Sequence, residues 1–221
     1  MLRTILPVLM AVLTGALLYS DAAKEEASKG EQFTRLFDGK TLDGWRRSNE
    51  PGHGSGCIWQ VRDGAIDGVQ ESPGAWGILT TAAKYGDFEL RLDVKTEWPA
   101  VAGILLRSSP EGHAYEVRIQ SRPGGDVGGI AVSRVGELEA PAKDWLKAWK
   151  KDDWNEIRVA IRGDPPEIRT ELNGSAMAEH KAASKHPRLG ATGHVALKLH
   201  GDEDCFGNHV LFRNIRILET K

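Results

Sequence analysis

The groups best suited to proton chemistry fall on two short strands. In residues 194–200, HVALKLH, the side chains of His194, Lys198 and His200 share one face, and Val195, Leu197 and Leu199 share the other, because side chains alternate in direction along a strand. Such a strand offers an apolar face to a core and a face of titratable groups to water or to a polyhydroxylated ligand. Residues 115–120, YEVRIQ, repeat the arrangement, with Glu116, Arg118 and Gln120 opposite Tyr115, Val117 and Ile119. A carboxylate can remove a proton, an ammonium can steady the oxyanion that forms, and an imidazole can act as acid, base or metal ligand near neutral pH. The same pattern also fits solvated strands. Glu116 would then pair with Arg118 or a cross-strand lysine, Lys198 would point into water, and His200 would cap the loop that begins at Gly201. Arg107 ends the apolar stretch 104–106 on the face of Gly103 and Leu105. An arginine there needs an acceptor, either a sugar or enediolate oxygen or a neighbouring carboxylate.

The elements that must position these groups are short strands. Residues 57–62 and 65–69 flank Asp63-Gly64, and residues 168–172 end at Asn173-Gly174; both dipeptides signal two-residue hairpin turns. Residues 88–95 alternate apolar and charged, as do 157–162, and further strands read at 103–108, 114–120, 128–132, 194–200 and 210–217. One helix is expected over residues 141–150, where Trp145, Leu146 and Trp149 follow helical spacing. Many short antiparallel strands separated by turns predict an all-β sandwich or barrel. Of the seven tryptophans, Trp45, Trp59 and Trp154 lie inside strand or turn motifs and read as core. Trp76, Trp98, Trp145 and Trp149 lie in loops or on the helix and could present a flat face to a sugar.

Composition narrows the classes further. The net charge is −2 and no basic block occurs, which argues against nucleic acid as a partner. Residues 1–23 read as an export signal: Arg3, an apolar run over 5–18 broken by Pro7, Thr14 and Gly15, then small residues near Ser20 and Ala22. The run is short of the ~20 apolar residues of a membrane span, although an uncleaved anchor is the alternative. Residues 24–32 form a polar lead-in, and 33–221 the folded domain, with no stable membrane span expected after cleavage. Cys57 and Cys205 are the only cysteines; in an exported protein they are either one disulfide or two buried thiols. Asp202, Glu203 and Asp204 form an acidic loop without established calcium-loop spacing, and no zinc spacing is present. Asn155, Arg213 and Asn214 sit at strand ends, where such groups usually satisfy loop carbonyls.

An ordered set of motifs resembles the 3-keto-disaccharide hydrolase domain family, long known as domain of unknown function 1080. The motifs are LFDGKTLDGW at 36–45, WQVRDGAIDG at 59–68, YGDFELRLDV at 85–94, ILLRS at 104–108, YEVRIQ at 115–120, DDWNEIRVAIRG at 152–163, ELNG at 171–174, LKLHG at 197–201 and LFRNIRI at 211–217. The resemblance implies a concanavalin A-like jelly-roll β-sandwich, a periplasmic or secreted location, and action on 3-keto sugars. A ketone at C3 acidifies the C2 proton. A base removes it, the C1 glycosidic oxygen is eliminated, and water adds to the product. The resemblance assigns Glu116 and His200 to the proton chemistry, with room for a divalent metal ion of unknown identity. Arg107, Lys198, Arg118, Gln120 and Trp76 would hold substrate or developing charge, although the family more often has glutamine at the position of Lys198. A sugar 3-dehydrogenase is implied as the pathway partner that makes the substrate.

Two departures from the family pattern bear on catalysis. The family usually has Asn-Ser-Gly where this chain has Val101-Ala102-Gly103, and an acidic residue where it has Ser121. The readings are therefore two: a hydrolase of 3-keto-glycosides, or a non-catalytic carbohydrate-binding domain on the same scaffold.

Overall fold

Alternation in the sequence becomes two layers in the structure. The computed structural model describes residues 32–49, 54–134 and 137–220; the expected export signal at 1–23 lies outside them, as does all but the last residue of the lead-in. Among the described residues, fifteen strands form two antiparallel sheets. The first sheet runs β13 (Ser175–Lys181), β12 (Glu167–Leu172), β11 (Asn155–Arg162), β6 (Phe88–Thr96), β15 (Val210–Glu219), β4 (Ala65–Gln70), β3 (Cys57–Arg62), with β1 (Thr34–Arg35) also pairing with β15. The second runs β10 (Leu138–Ala140), β9 (Val127–Val132), β8 (Tyr115–Ser121), β7 (Ala100–Ser108), β14 (His194–Leu199), β5 (Gly77–Thr81), β2 (Trp45–Arg47). Sequential strands pass between the sheets, so that β14 lies between β5 and β7 and β15 between β4 and β6. This is the jelly-roll sandwich that the motifs imply.

The core fills the space between the layers. Phe88, Leu90, Leu92 and Val94 of β6 and Ile157, Val159 and Ile161 of β11 meet Ile104, Leu106, Val117, Ile119 and Leu197 of the second sheet, all fully or almost fully buried. Each such side chain contributes roughly 1.5–3 kcal/mol by leaving water. The predicted hairpins are present: Asp63 and Gly64 have φ of 51° and 76°, and Asn173 and Gly174 have 51° and 81°, the paired positive angles that match strand twist.

Two expectations change, and the open question of the cysteines is decided. The helix is a single turn, α1 (Trp145–Ala148); Trp145 is buried, Leu146 is exposed, and the chain at Trp149 is already extended. Cys57 and Cys205 are both buried free thiols; burial, with Glu71 adding to it, pushes the Cys57 thiol up to about 12. Strands β5 and β13 were not expected, because GILTT and SAMAEHK lack clean alternation. No helix among the described residues is long and apolar enough to cross a membrane.

Candidate functional site

The outer face of the second sheet carries the groups singled out from the sequence. Glu116 of β8 is 8% exposed and Lys198 of β14 is 7% exposed; Lys198 Nζ donates to Glu116 Oε2 at 2.7 Å. The two strands are not neighbours, since β7 lies between them. The pair forms because Gly103 of β7, which is the register partner of Lys198, has no side chain. A Cβ there would lie 2.4 Å from Glu116 Oε1. Of the two pairings open from the sequence, Glu116 takes the cross-strand lysine rather than Arg118, and it does so by leaning across a glycine gap to a strand two away.

His200 follows β14 directly. Its backbone N–H donates to Val101 O at 2.9 Å, and Gln70 of β4 donates from Nε2 to the carbonyls of His200 and Asp202. The imidazole lies against Trp76, with ring centroids 4.1 Å apart and planes tilted by 39°, and Lys198 Nζ is 5.7 Å from the Trp76 centroid. Burial, and then the Lys198 cation, holds His200 below the usual histidine range, so it is neutral at pH 7. Its Nδ1 is buried without a hydrogen-bond partner among the described residues, an atom that a ligand or water would satisfy. Trp76, Val101, Glu116, Arg118, Gln120, Lys198 and His200 line one cleft of about 230 Å³. Six of the seven predicted site residues are therefore together.

Arg107 is the seventh and lies elsewhere. The β7–β14 register slips between His194 and Ala196, which pair with Ser108 and Leu105, and Arg107 has φ of 52°. This β-bulge reverses the alternation, so Arg107 leaves the face of Gly103 and Leu105. The guanidinium donates to Gly86 O, Gly163 O and Asp87 Oδ1 at 2.8, 2.8 and 2.6 Å, and Asp87 also accepts from Gly163 N. Of the alternatives open to it, Arg107 takes the carboxylate and clips the two sheets together.

The other polar motifs also act within the fold. Asn155, fully buried, bonds the backbone of Lys150 and Asp153 and the side chain of Asn173. Asn214 and Arg213 both donate to Asp93 Oδ2, and Arg213 stacks 3.9 Å from the Trp154 centroid. Trp98, Trp145 and Trp149 pack on the core, leaving Trp76 as the loop tryptophan that reaches the cleft. In the acidic loop, Asp202 accepts from Asp204 N and is ion-paired with Arg122. No group of three or more His, Cys, Asp or Glu side chains converges among the described residues. Ser133 and Arg134 also line the cleft. Neither was legible from the residue pattern, because Gly128-Gly129 and the loop after β9 interrupt the alternation.

The fold defines the class as a jelly-roll β-sandwich with a charged cleft on one sheet, and comparison narrows it. Residues 32–218 match the 3-keto-alpha-glucoside-1,2-lyase-like domain, and the chain belongs to that family. A 3-keto-disaccharide hydrolase of Bacteroides thetaiotaomicron is 31% identical over 103 residues. The match covers 43% of this chain and 32% of the relative, about a third of its length. A candidate glycosyl hydrolase of Parabacteroides distasonis superposes with a TM-score of 0.59 at 22% identity, covering 90% of this chain and 97% of that one. A carbohydrate-binding module of Bacillus subtilis gives 0.58 at 15% identity, covering 80% and 96%. The two solved structures establish likeness of fold.

Proposed function

We propose that the domain cleaves 3-keto-glycosides in the Glu116–Lys198–His200 cleft by elimination followed by hydration. The observation that carries this reading is the 2.7 Å pair between Glu116 and Lys198 beside a neutral histidine. The Glu116 carboxylate takes the C2 proton of the bound sugar, and the electron pair moves to the C3 oxygen. Proton transfer discharges Glu116 as the oxyanion appears, so the Lys198 ammonium exchanges one anion for another and the charge in the cleft is unchanged. Stabilisation of that kind needs little reorganisation. The oxyanion then collapses, the C1–O bond breaks, and the protonated Glu116 returns its proton to the leaving oxygen. Neutral His200 takes a proton from the water that adds to C1, and a proton returned to C2 completes a net hydrolysis. Trp76 walls the sugar, and Arg118 and Gln120 reach its hydroxyls.

The donor set does not suit a divalent ion. Glu116 is the one carboxylate among the described lining residues of the cleft, and it is already neutralised by Lys198. The substrate implies an oxidoreductase acting at C3 upstream, and the expected leader at 1–23 would deliver the domain to the periplasm or beyond.

The second reading is a carbohydrate-binding domain, favoured by Val101, which lines the cleft where the family usually has asparagine. A panel of 3-keto-glucosides and 3-keto-disaccharides decides between them. Turnover that survives EDTA and is lost in Glu116→Gln, with sugar affinity retained, is expected. Saturable binding with no turnover by the unaltered domain would establish the binding module instead.

A further inference from the structure

We infer that a second pocket on the same face is the subsite for the leaving group, and that it selects one bearing an oxyanion, such as a carboxylate, sulfate or phosphate. This rests on the reading that the keto sugar occupies the first cleft. The second pocket, of about 200 Å³, is lined by Arg46, Thr80, Ile78, Ser109 and His194 among others. It adjoins the first directly, because Ile78 is the cross-strand partner of Lys198 and adjacent strands lie only ~4.8 Å apart. At about 230 and 200 Å³, neither pocket alone reaches the ~300 Å³ at which small-ligand sites usually begin. The two together do, which fits a two-part ligand lying across β14 and β5.

Charge sets the class. Among the described residues, the lining of the second pocket contains Arg46 and Arg47 and no aspartate or glutamate. Arg47 is neutralised by Glu71 at 2.8 Å. Arg46 is exposed and has no ion-pair or hydrogen-bond partner among the described residues. Its register partner Thr80 places it over the β5 side of the pocket. In the first cleft Lys198 is matched by Glu116, and Arg134 adds a further guanidinium. This excess of positive charge lies on a chain whose net charge is −2. The outer face of the other sheet also has many arginines but is balanced, with Arg91 on Glu89, Arg158 on Glu156 and Arg169 on Glu179. A guanidinium without a described ion-pair partner, beside a described lining that holds no carboxylate, attracts and orients an anion.

The test is equilibrium binding of a matched pair, 4-carboxyphenyl and 4-carbamoylphenyl glucoside, in both anomeric forms, by calorimetry. The two differ in charge and hardly in shape, and neither carries the C3 ketone needed for turnover. The acid should bind about tenfold tighter than the amide at low salt, as expected for a hydrogen bond to a charged group. The preference should shrink in high salt, vanish in Arg46→Gln and persist in Arg46→Lys. Equal affinities, no binding of either probe, or a preference that survives Arg46→Gln would each overturn the assignment. Turnover of an uncharged 3-keto-glucoside, measured separately, tests the reaction alone. Turnover without acid preference removes the subsite and keeps the hydrolase; acid preference without turnover does the reverse.

Discussion

Lys198→Met removes the ammonium and leaves the Glu116 carboxylate in its place on the cleft floor. Both residues are less than a tenth exposed, and losing one partner of a buried pair typically costs about 3–5 kcal/mol. The cleft admits water from one side, so the cost falls at or just below that range, about 2–3 kcal/mol. For a domain of this size 1 kcal/mol moves Tm by about 2–4 °C, and the expected fall is roughly 4–12 °C. Glu116→Gln is milder, because the amide oxygen still accepts from Lys198; about 1 kcal/mol is expected. The double variant leaves neither charge unpaired and should recover to within about 1 kcal/mol of the unaltered protein. Urea denaturation at pH 7, followed by tryptophan fluorescence, gives all four corners of the cycle. The midpoints should shift while the slopes stay constant. Additive single effects, with coupling below about 0.5 kcal/mol, would refute the claim that the two groups are paired in the folded protein.

Two further outcomes follow from the same floor. Gly103→Ala places a Cβ 2.4 Å from Glu116 Oε1, so Glu116 must swing off Lys198. The expected result is a loss of kcat/KM of about 10–100-fold, as for a small misplacement of a reacting group, together with a fall in Tm comparable to that of Lys198→Met, since both groups lose their partner, read from kinetics and a thermal melt. His200 is held below its usual range by burial and acts as a base only when neutral. Activity should therefore be full at neutral pH and fall only on acidification below about 6.5. Folding favours the neutral ring, so the contribution of His200 to stability is complete above that value. It is lost as pH falls from there toward the lowered folded pKa, and His200→Gln should flatten this part of a Tm-against-pH curve.

How much of this was legible depends on whether alternation was intact. It is unbroken over Phe88–Thr96 and Tyr115–Ser121, and there both the strands and the facing side chains could be read directly. The same regularity places His194, Lys198 and His200 on one face. The turns at Asp63-Gly64 and Asn173-Gly174 were legible because few residue types accept positive φ at both central positions. Arg107 was not, because a one-residue bulge leaves no mark in residue type yet reverses which way every later side chain points. The Glu116–Lys198 pair was hidden for a different reason. It depends on Gly103 being empty space between strands whose order, β8-β7-β14, reverses nothing in the local pattern but joins residues 82 positions apart in the chain. The two cysteines illustrate the same limit, since an even count carries no distance.

The two departures from the family pattern separate once their faces are known. Ser121 is fully buried and shares a 2.8 Å hydrogen bond with Thr96 of the opposite sheet, and Ala102 belongs to the core. Neither reaches the ligand. Only Val101 lines the cleft, and what it lacks is one hydrogen bond to a sugar hydroxyl, a matter of about 1 kcal/mol in affinity. It takes no part in proton transfer. A binding module would gain little from an ion pair sunk into the floor of its site, because a buried pair is often no more stabilising than an apolar pair of the same volume. A base that must stay ionised beneath a ligand, and a cation that must remain when the base is discharged, do require such a pair. The placement of Glu116 and Lys198 across Gly103 therefore favours chemistry over binding alone.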